Sequence, residues 1–268
     1  MRHLSRNAFL ALVCLLPLSV PAQQNHAAER LLTARALYYT PTSSGLKSFH
    51  CAVSMDWKDL LTRFGGKEIP DDNPDLVYLK TVQLSATDQL RGKGSLEWTE
   101  TSSAPDGVKE EIGRLHDGLS QTLGGFFQTW NEFMNGGMVP APDKTTIVSP
   151  AGDGIKLHGS SPEYVVDEVF DKNLLLTDVH VVSKAMEVTM SPTYSDSPDG
   201  RIISTLQASS HQPPTAPPTN VTMSITYAPV SKFQLPSSVK VDVKNVGGFL
   251  FNFSACKVET ADKAPDQP

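Results

Sequence analysis

The sequence predicts an α+β protein, mostly β: one large curved antiparallel sheet, a half-barrel, with helices packed on its concave face. Three observations predict it. From Lys144 onward, short apolar-rich segments alternate with turn residues almost to the end of the chain. Helical periodicity is confined to the first half. The longest helical stretch is aromatic along one face, as the cover of a sheet must be.

The chain opens with the three parts of a secretory leader. Arg2 and Arg6 supply positive charge, Ala8 to Val20 an apolar run, and Val20-Pro21-Ala22 a small-residue cleavage pattern, placing cleavage after Ala22 and a mature start at Gln23. The run is interrupted by Pro17 and Ser19 and falls short of the roughly 20 residues that span a bilayer. Cys14 lies within it, but Val13 precedes it where a lipid-anchored cysteine needs a small residue. The expected organisation is a signal peptide (1–22), one β-rich domain (23–260) and a flexible polar tail (261–268).

Ala27, Leu31, Ala34 and Tyr38 then fall on one helical face, with Asn25 as N-cap and Pro41 as terminator. Phe49, Cys51, Val53, Met55 and Trp57 alternate with smaller or polar residues, the pattern of a strand with one apolar face. Asp56 begins a short helix through Leu60, Leu61 and Phe64, stopped by Gly65-Gly66. A loop follows from Pro70 to Asp75, with strands at Leu79–Ala86 and Gly94–Thr101.

The longest helix carries Ile112, Leu115, Leu119, Leu123, Phe126, Phe127, Trp130, Phe133 and Met134 at three- and four-residue steps. Asp106 or Asp117 is its expected cap, and Gly124-Gly125 either divides it or permits close packing. Strands are expected at Thr145–Ser149, Ile155–Gly159, Tyr164–Asp171, Leu174–Lys184, Ala185–Ser191, Arg201–Ser209, Val221–Tyr227, Val239–Val243 and Phe249–Val258. Pro150, Asp153-Gly154, Ser161-Pro162, Pro198-Asp199-Gly200 and Pro236 punctuate them. His211 to Thr219 holds four prolines and reads as an exposed loop tip.

Lys and Arg number 23 against 29 Asp and Glu. The leader holds two of the former and none of the latter, so the mature chain carries a formal −8 with no basic stripe. That balance argues against nucleic acid and against the surface of an anionic membrane as partners. Cys51 and Cys256 survive cleavage, and an even count in an exported chain points to a disulfide between them.

Signatures of common chemistry are missing. His26, His50, His116, His158, His180 and His211 are scattered singly, with no HxxxH or HExxH spacing to hold a metal. There is no GxSxG, P-loop or GxGxxG. Carboxylates such as Asp167-Glu168 are expected mostly in turns or on polar faces. The chain therefore reads as non-enzymatic, with no cofactor and no metal.

Three stretches resemble the periplasmic lipoprotein-carrier (LolA-like) superfamily in layout: Leu31 to Trp57, a helix followed by Gly45-Leu46-Lys47-Ser48-Phe49 and a strand; Glu168-Val169-Phe170-Asp171-Lys172-Asn173-Leu174, a strand ending in a polar turn; and Phe233-Gln234-Leu235-Pro236 followed by Val239 to Val243. The resemblance implies a half-barrel whose concave face takes a lipid or other apolar ligand, in the periplasm or outside the cell. The candidate cavity residues are Leu123, Phe126, Phe127, Trp130, Phe133 and Met134. The rival expectation is a secreted structural or interaction domain in which the same residues fill a closed core.

Overall fold

The computed structural model describes residues 29–104, 109–135, 139, 146–213 and 216–261. The leader with its cleavage site and Cys14, Asn25, His26, Ala27, Asp106 and the tail beyond Ala261 lie outside the described residues.

One twelve-stranded antiparallel sheet dominates, in the order β3-β2-β1-β12-β11-β10-β9-β8-β7-β6-β5-β4, with β3 and β4 as free edges. The strands are β1 (Leu46–Ser54), β2 (Gln83–Gln89), β3 (Ser95–Thr99), β4 (Ile147–Ala151), β5 (Gly154–Ser160), β6 (Tyr164–Phe170), β7 (Leu176–Ser183), β8 (Glu187–Ser197), β9 (Gly200–His211), β10 (Thr219–Val230), β11 (Phe233–Val243) and β12 (Gly247–Thr260). The helices are α1 (29–36), α2 (Trp57–Gly65), α3 (Pro74–Leu79) and α4 (Lys109–Met134). A sheet this wide must curl. It does not close.

Several boundaries differ from the sequence reading. Trp57 is not the last residue of the first strand; it opens α2, because the Asp56 carboxylate accepts from the Asp59 amide and caps the helix there. The Asp/Pro loop gives way to α3, with Asn73 as N-cap and Pro74 in the first turn, where its missing N–H costs nothing. Leu79 ends that helix instead of opening a strand, and the strand begins at Gln83. Pro150 and Pro236 lie inside β4 and β11. β4 is an edge, where no donor is needed on one side, and Pro236 sits beside a β-bulge at Thr226/Tyr227. Asp117 lies within α4 and does not cap it.

α4 is continuous through Gly124-Gly125, and at about 1.5 Å per residue it runs some ~39 Å along the sheet. Its small residues permit close approach: Gly124 faces the Gly94 carbonyl of the β2–β3 turn. Gly94 is itself required, since a Cβ there would fall 2.3 Å from the Phe127 ring.

α4 crosses the concave face from β3 towards β9, where the Trp130 indole donates to the Tyr227 hydroxyl at 3.0 Å and that hydroxyl donates to the Ile203 carbonyl at 2.8 Å. α1 covers the other half. Leu31 and Ala34 are fully buried, and Arg30 donates to the Asp153 and Gly154 carbonyls of the β4–β5 turn. Residues 37–39 then pass so close to Gly200 (φ +126) that a Cβ there would lie 2.9 Å from the Leu37 carbonyl oxygen.

Cys51 on β1 and Cys256 on β12 form a disulfide between neighbouring strands, in a stretch bulged on the β12 side at Ala255 (φ 49). No helix among the described residues is long and apolar enough to cross a membrane.

Candidate functional site

The six residues singled out on α4 are all buried. Phe127 packs edge-on against Phe49 of β1 at 5.8 Å and Phe253 of β12 at 6.2 Å, and Trp130 meets Phe49 at 5.8 Å. These rings fill the space between helix and sheet. Phe133, at the last turn of α4, also lines a cavity that Leu123, Phe126, Phe127, Trp130 and Met134 do not.

That cavity, of about 530 Å³, lies between α1, residues 38–44 and the end of α4. Tyr38, Tyr194, Leu176, Phe133 and Val139 give it an apolar wall, and Arg35, Thr40, Ser43, Asn135 and Asp199 a polar rim. Tyr38 and Tyr194 meet edge to face at 5.2 Å. The Leu176 amide donates to the Tyr38 hydroxyl at 2.7 Å, fixing the phenol over the β6–β7 turn. Burial pushes Tyr38 up to about 12 and Tyr194 higher still, so both phenols are neutral donors at any physiological pH.

Two carboxyls stand in the apolar face. Glu168 on β6 is 6 % exposed and lies directly across from Leu157 of β5 and Val179 of β7, both core residues. Its Oε2 has no hydrogen-bond partner among the described residues, and burial raises its pKa to about 8. Beside burial, the main cause, a charge on Glu168 also raises Tyr38 and Tyr194. Asp88 on β2 is fully buried; desolvation pushes it up to about 7 against the opposing hydrogen bond from Asn131.

Both are exceptions to the expectation that carboxylates fall mostly in turns or on polar faces. Strand parity is the signal that could have found them. Asp88 shares a face with Leu84 and Ala86, and Glu168 with Phe170. On β6 both faces carry valines, which hid the inward one.

Along the row that contains Glu168, pairing runs Val179 to Met190 to Ala208 to Val221, all on the concave side. Val166, Val181, Met190, Val221 and Met223 are only partly buried there, whereas the residues beneath α4 are sealed. Tyr194 lies on the same strip of β8, four residues beyond Met190. The candidate site is therefore this strip, running from the half-covered valines past Glu168 to the cavity beside α1.

The histidines pair singly: His158 with Asp167 at 2.8 Å, His180 with Glu187 at 2.9 Å and His50 with Thr87 at 3.0 Å. The contact with His158 holds Asp167 below the usual carboxylate range. No cluster of three metal-ligating side chains occurs among the described residues. Comparison with family models, with curated proteins and with solved structures found no match.

Proposed function

We propose that this protein is an exported, non-enzymatic carrier or sensor, periplasmic or secreted, that binds a lipid or other apolar ligand on the concave strip of β6–β8. One observation carries the reading: the cavity beside α1 combines an apolar wall with a polar rim, and its volume of about 530 Å³ falls within the range of ~300–1,000 Å³ usual for small-ligand sites. An amphiphile fits that arrangement, with its apolar part against Tyr38, Tyr194 and Leu176. Arg35, which makes no ion pair among the described residues, would meet an anionic head at the rim. The resemblance in layout to LolA-like carriers supports the same reading, as does the export leader.

A second reading, a structural or interaction domain with a filled core, is favoured by the sealed packing of Phe126, Phe127 and Trp130 under α4. Titration with a fluorescent fatty acid separates the two. The carrier reading expects saturable binding that Ala36→Trp, adding bulk at the cavity, weakens roughly tenfold or more, about 1.4 kcal/mol. Absence of saturable binding in the wild type would favour the filled core.

A further inference from the structure

The connections at the two ends of the sheet differ in polarity. At the end beneath α1, the turns are Gly152-Asp153, Asp171-Lys172-Asn173, Ser197-Pro198-Asp199 and Ser231-Lys232. At the opposite end, large apolar side chains stand out into solvent. Val246 is 63 % exposed at the β11–β12 turn, Met186 39 % at the β7–β8 turn, and Tyr164 47 % where β6 begins. Ile147 opens β4 at the same end, and Phe64 projects from α2, which bridges β1 and β2 there. Among the nine large apolar residues most exposed in the described chain, Leu32 on α1 is the one at the other end.

Three of these projections have a lysine close by in sequence, Lys67 after Phe64, Lys184 before Met186 and Lys244 before Val246, whereas Tyr164 follows Glu163. None of the three lysines makes an ion pair among the described residues.

We infer that this rim docks on a lipid surface. Hairpin tips two strands apart are separated by about 10 Å, so the apolar residues are isolated points and not one flat patch. A protein partner would need a matching pocket for each. A lipid interface accepts them all, with apolar tips entering the acyl boundary while neighbouring lysines reach phosphate groups. The chain's net negative charge weighs against an anionic surface, as its sequence implies, but charges beyond about 8 Å are largely screened in physiological salt, which leaves the local apolar tips and lysines to decide. Glu68 and Glu163 share the rim, so apolar insertion carries the binding and the lysines add to it. The half-covered strip of Val166, Val181 and Met190 lies towards this same end, which would bring the open end of that strip to the surface while the cavity beside α1 stays at the far end. Docking does not require that site to be occupied.

Flotation of the full chain with vesicles of phosphatidylcholine, alone and mixed with phosphatidylglycerol, tests this. The wild type should float with both and more strongly with the mixture. Val246→Asp with Met186→Asp should cut binding roughly tenfold. Lys184→Glu with Lys244→Glu should remove the preference for the mixture, and Lys172→Asp, in the β6–β7 turn at the other end, should change nothing. As a readout independent of the charged variants, Val246→Trp should add blue-shifted emission on vesicle addition where Lys172→Trp does not. The inference is overturned if the wild type stays with the unbound fraction, if the Asp pair binds as the wild type does, or if that pair instead abolishes a concentration-dependent dimer. Because flotation needs no fatty-acid probe, its failure and failure of the ligand reading are seen separately.

Discussion

Asn131, midway along the aromatic half of α4, donates from Nδ2 to Asp88 Oδ1 on β2 at 2.9 Å, and both side chains are buried. The contact ties the covering helix to the sheet through a group whose charge depends on pH. In the folded protein Asp88 holds its proton to about pH 7, whereas its ordinary value is 3.8. Between those values the folded state binds more protons than the unfolded chain, so stability falls as pH rises through the window. Asp88→Asn, which keeps a neutral partner for Asn131, should flatten this dependence and raise the melting temperature at about pH 8 relative to wild type. Thermal melts at about pH 5 and pH 8 check it.

Glu168 acts in the same direction over a neighbouring window, from 4.5 to about 8. Its unpaired oxygen in an apolar row costs stability wherever the group is ionised. Glu168→Leu, similar in bulk, should therefore stabilise the protein above about pH 7, each unit of pKa difference corresponding to about 1.4 kcal/mol. Urea titrations of the two proteins measure the gain. A loss of stability would mean that the carboxyl has a structural partner.

The Cys51–Cys256 bridge closes a separation of 205 residues. On the chain-entropy account, a loop that long restricts the unfolded state by about 5 kcal/mol. Cys51→Ala with Cys256→Ala should lower stability by about 2–5 kcal/mol, moving the urea midpoint down and steepening the slope as the unfolded chain expands. An unchanged midpoint would show that pairing of β1 with β12 alone holds that seam.

Trp130 contributes both packing and the first link of the chain to Tyr227 and Ile203. Trp130→Ala should cost about 3–5 kcal/mol, the range for a packed aromatic. Tyr227→Phe, which removes the link and leaves the ring, should cost about 1–3 kcal/mol because the indole N–H loses its partner. Denaturant titration distinguishes the two sizes of effect.

Much of the fold was legible in the residues. Period-two alternation found the core face of β1, and three- and four-residue steps found α4, because burial on one side imposes those periods. Boundaries were less legible where a cap or a proline decided them. Asp56 converts Trp57 from strand to helix through one side-chain bond, and Pro236 sits within β11 because the adjoining bulge accommodates it. The cavity beside α1 could not be read at all. Tyr38, Leu176 and Tyr194 meet only because residues 37–39 cross over Gly200, a contact with no local signature. The six α4 residues were found as one apolar face, but periodicity cannot say which of them borders open space; Phe133 does.

The central claim, that the concave strip holds an apolar ligand, is tested most directly by native mass spectrometry of protein purified from its host without detergent. A bound ligand should give a species heavier than the polypeptide that releases a lipid on denaturation, and a smaller retained fraction in Ala36→Trp, which adds bulk at the cavity lining. Bare polypeptide as the sole species, with no lipid in the denatured extract and no uptake after incubation with fatty acid, would contradict it.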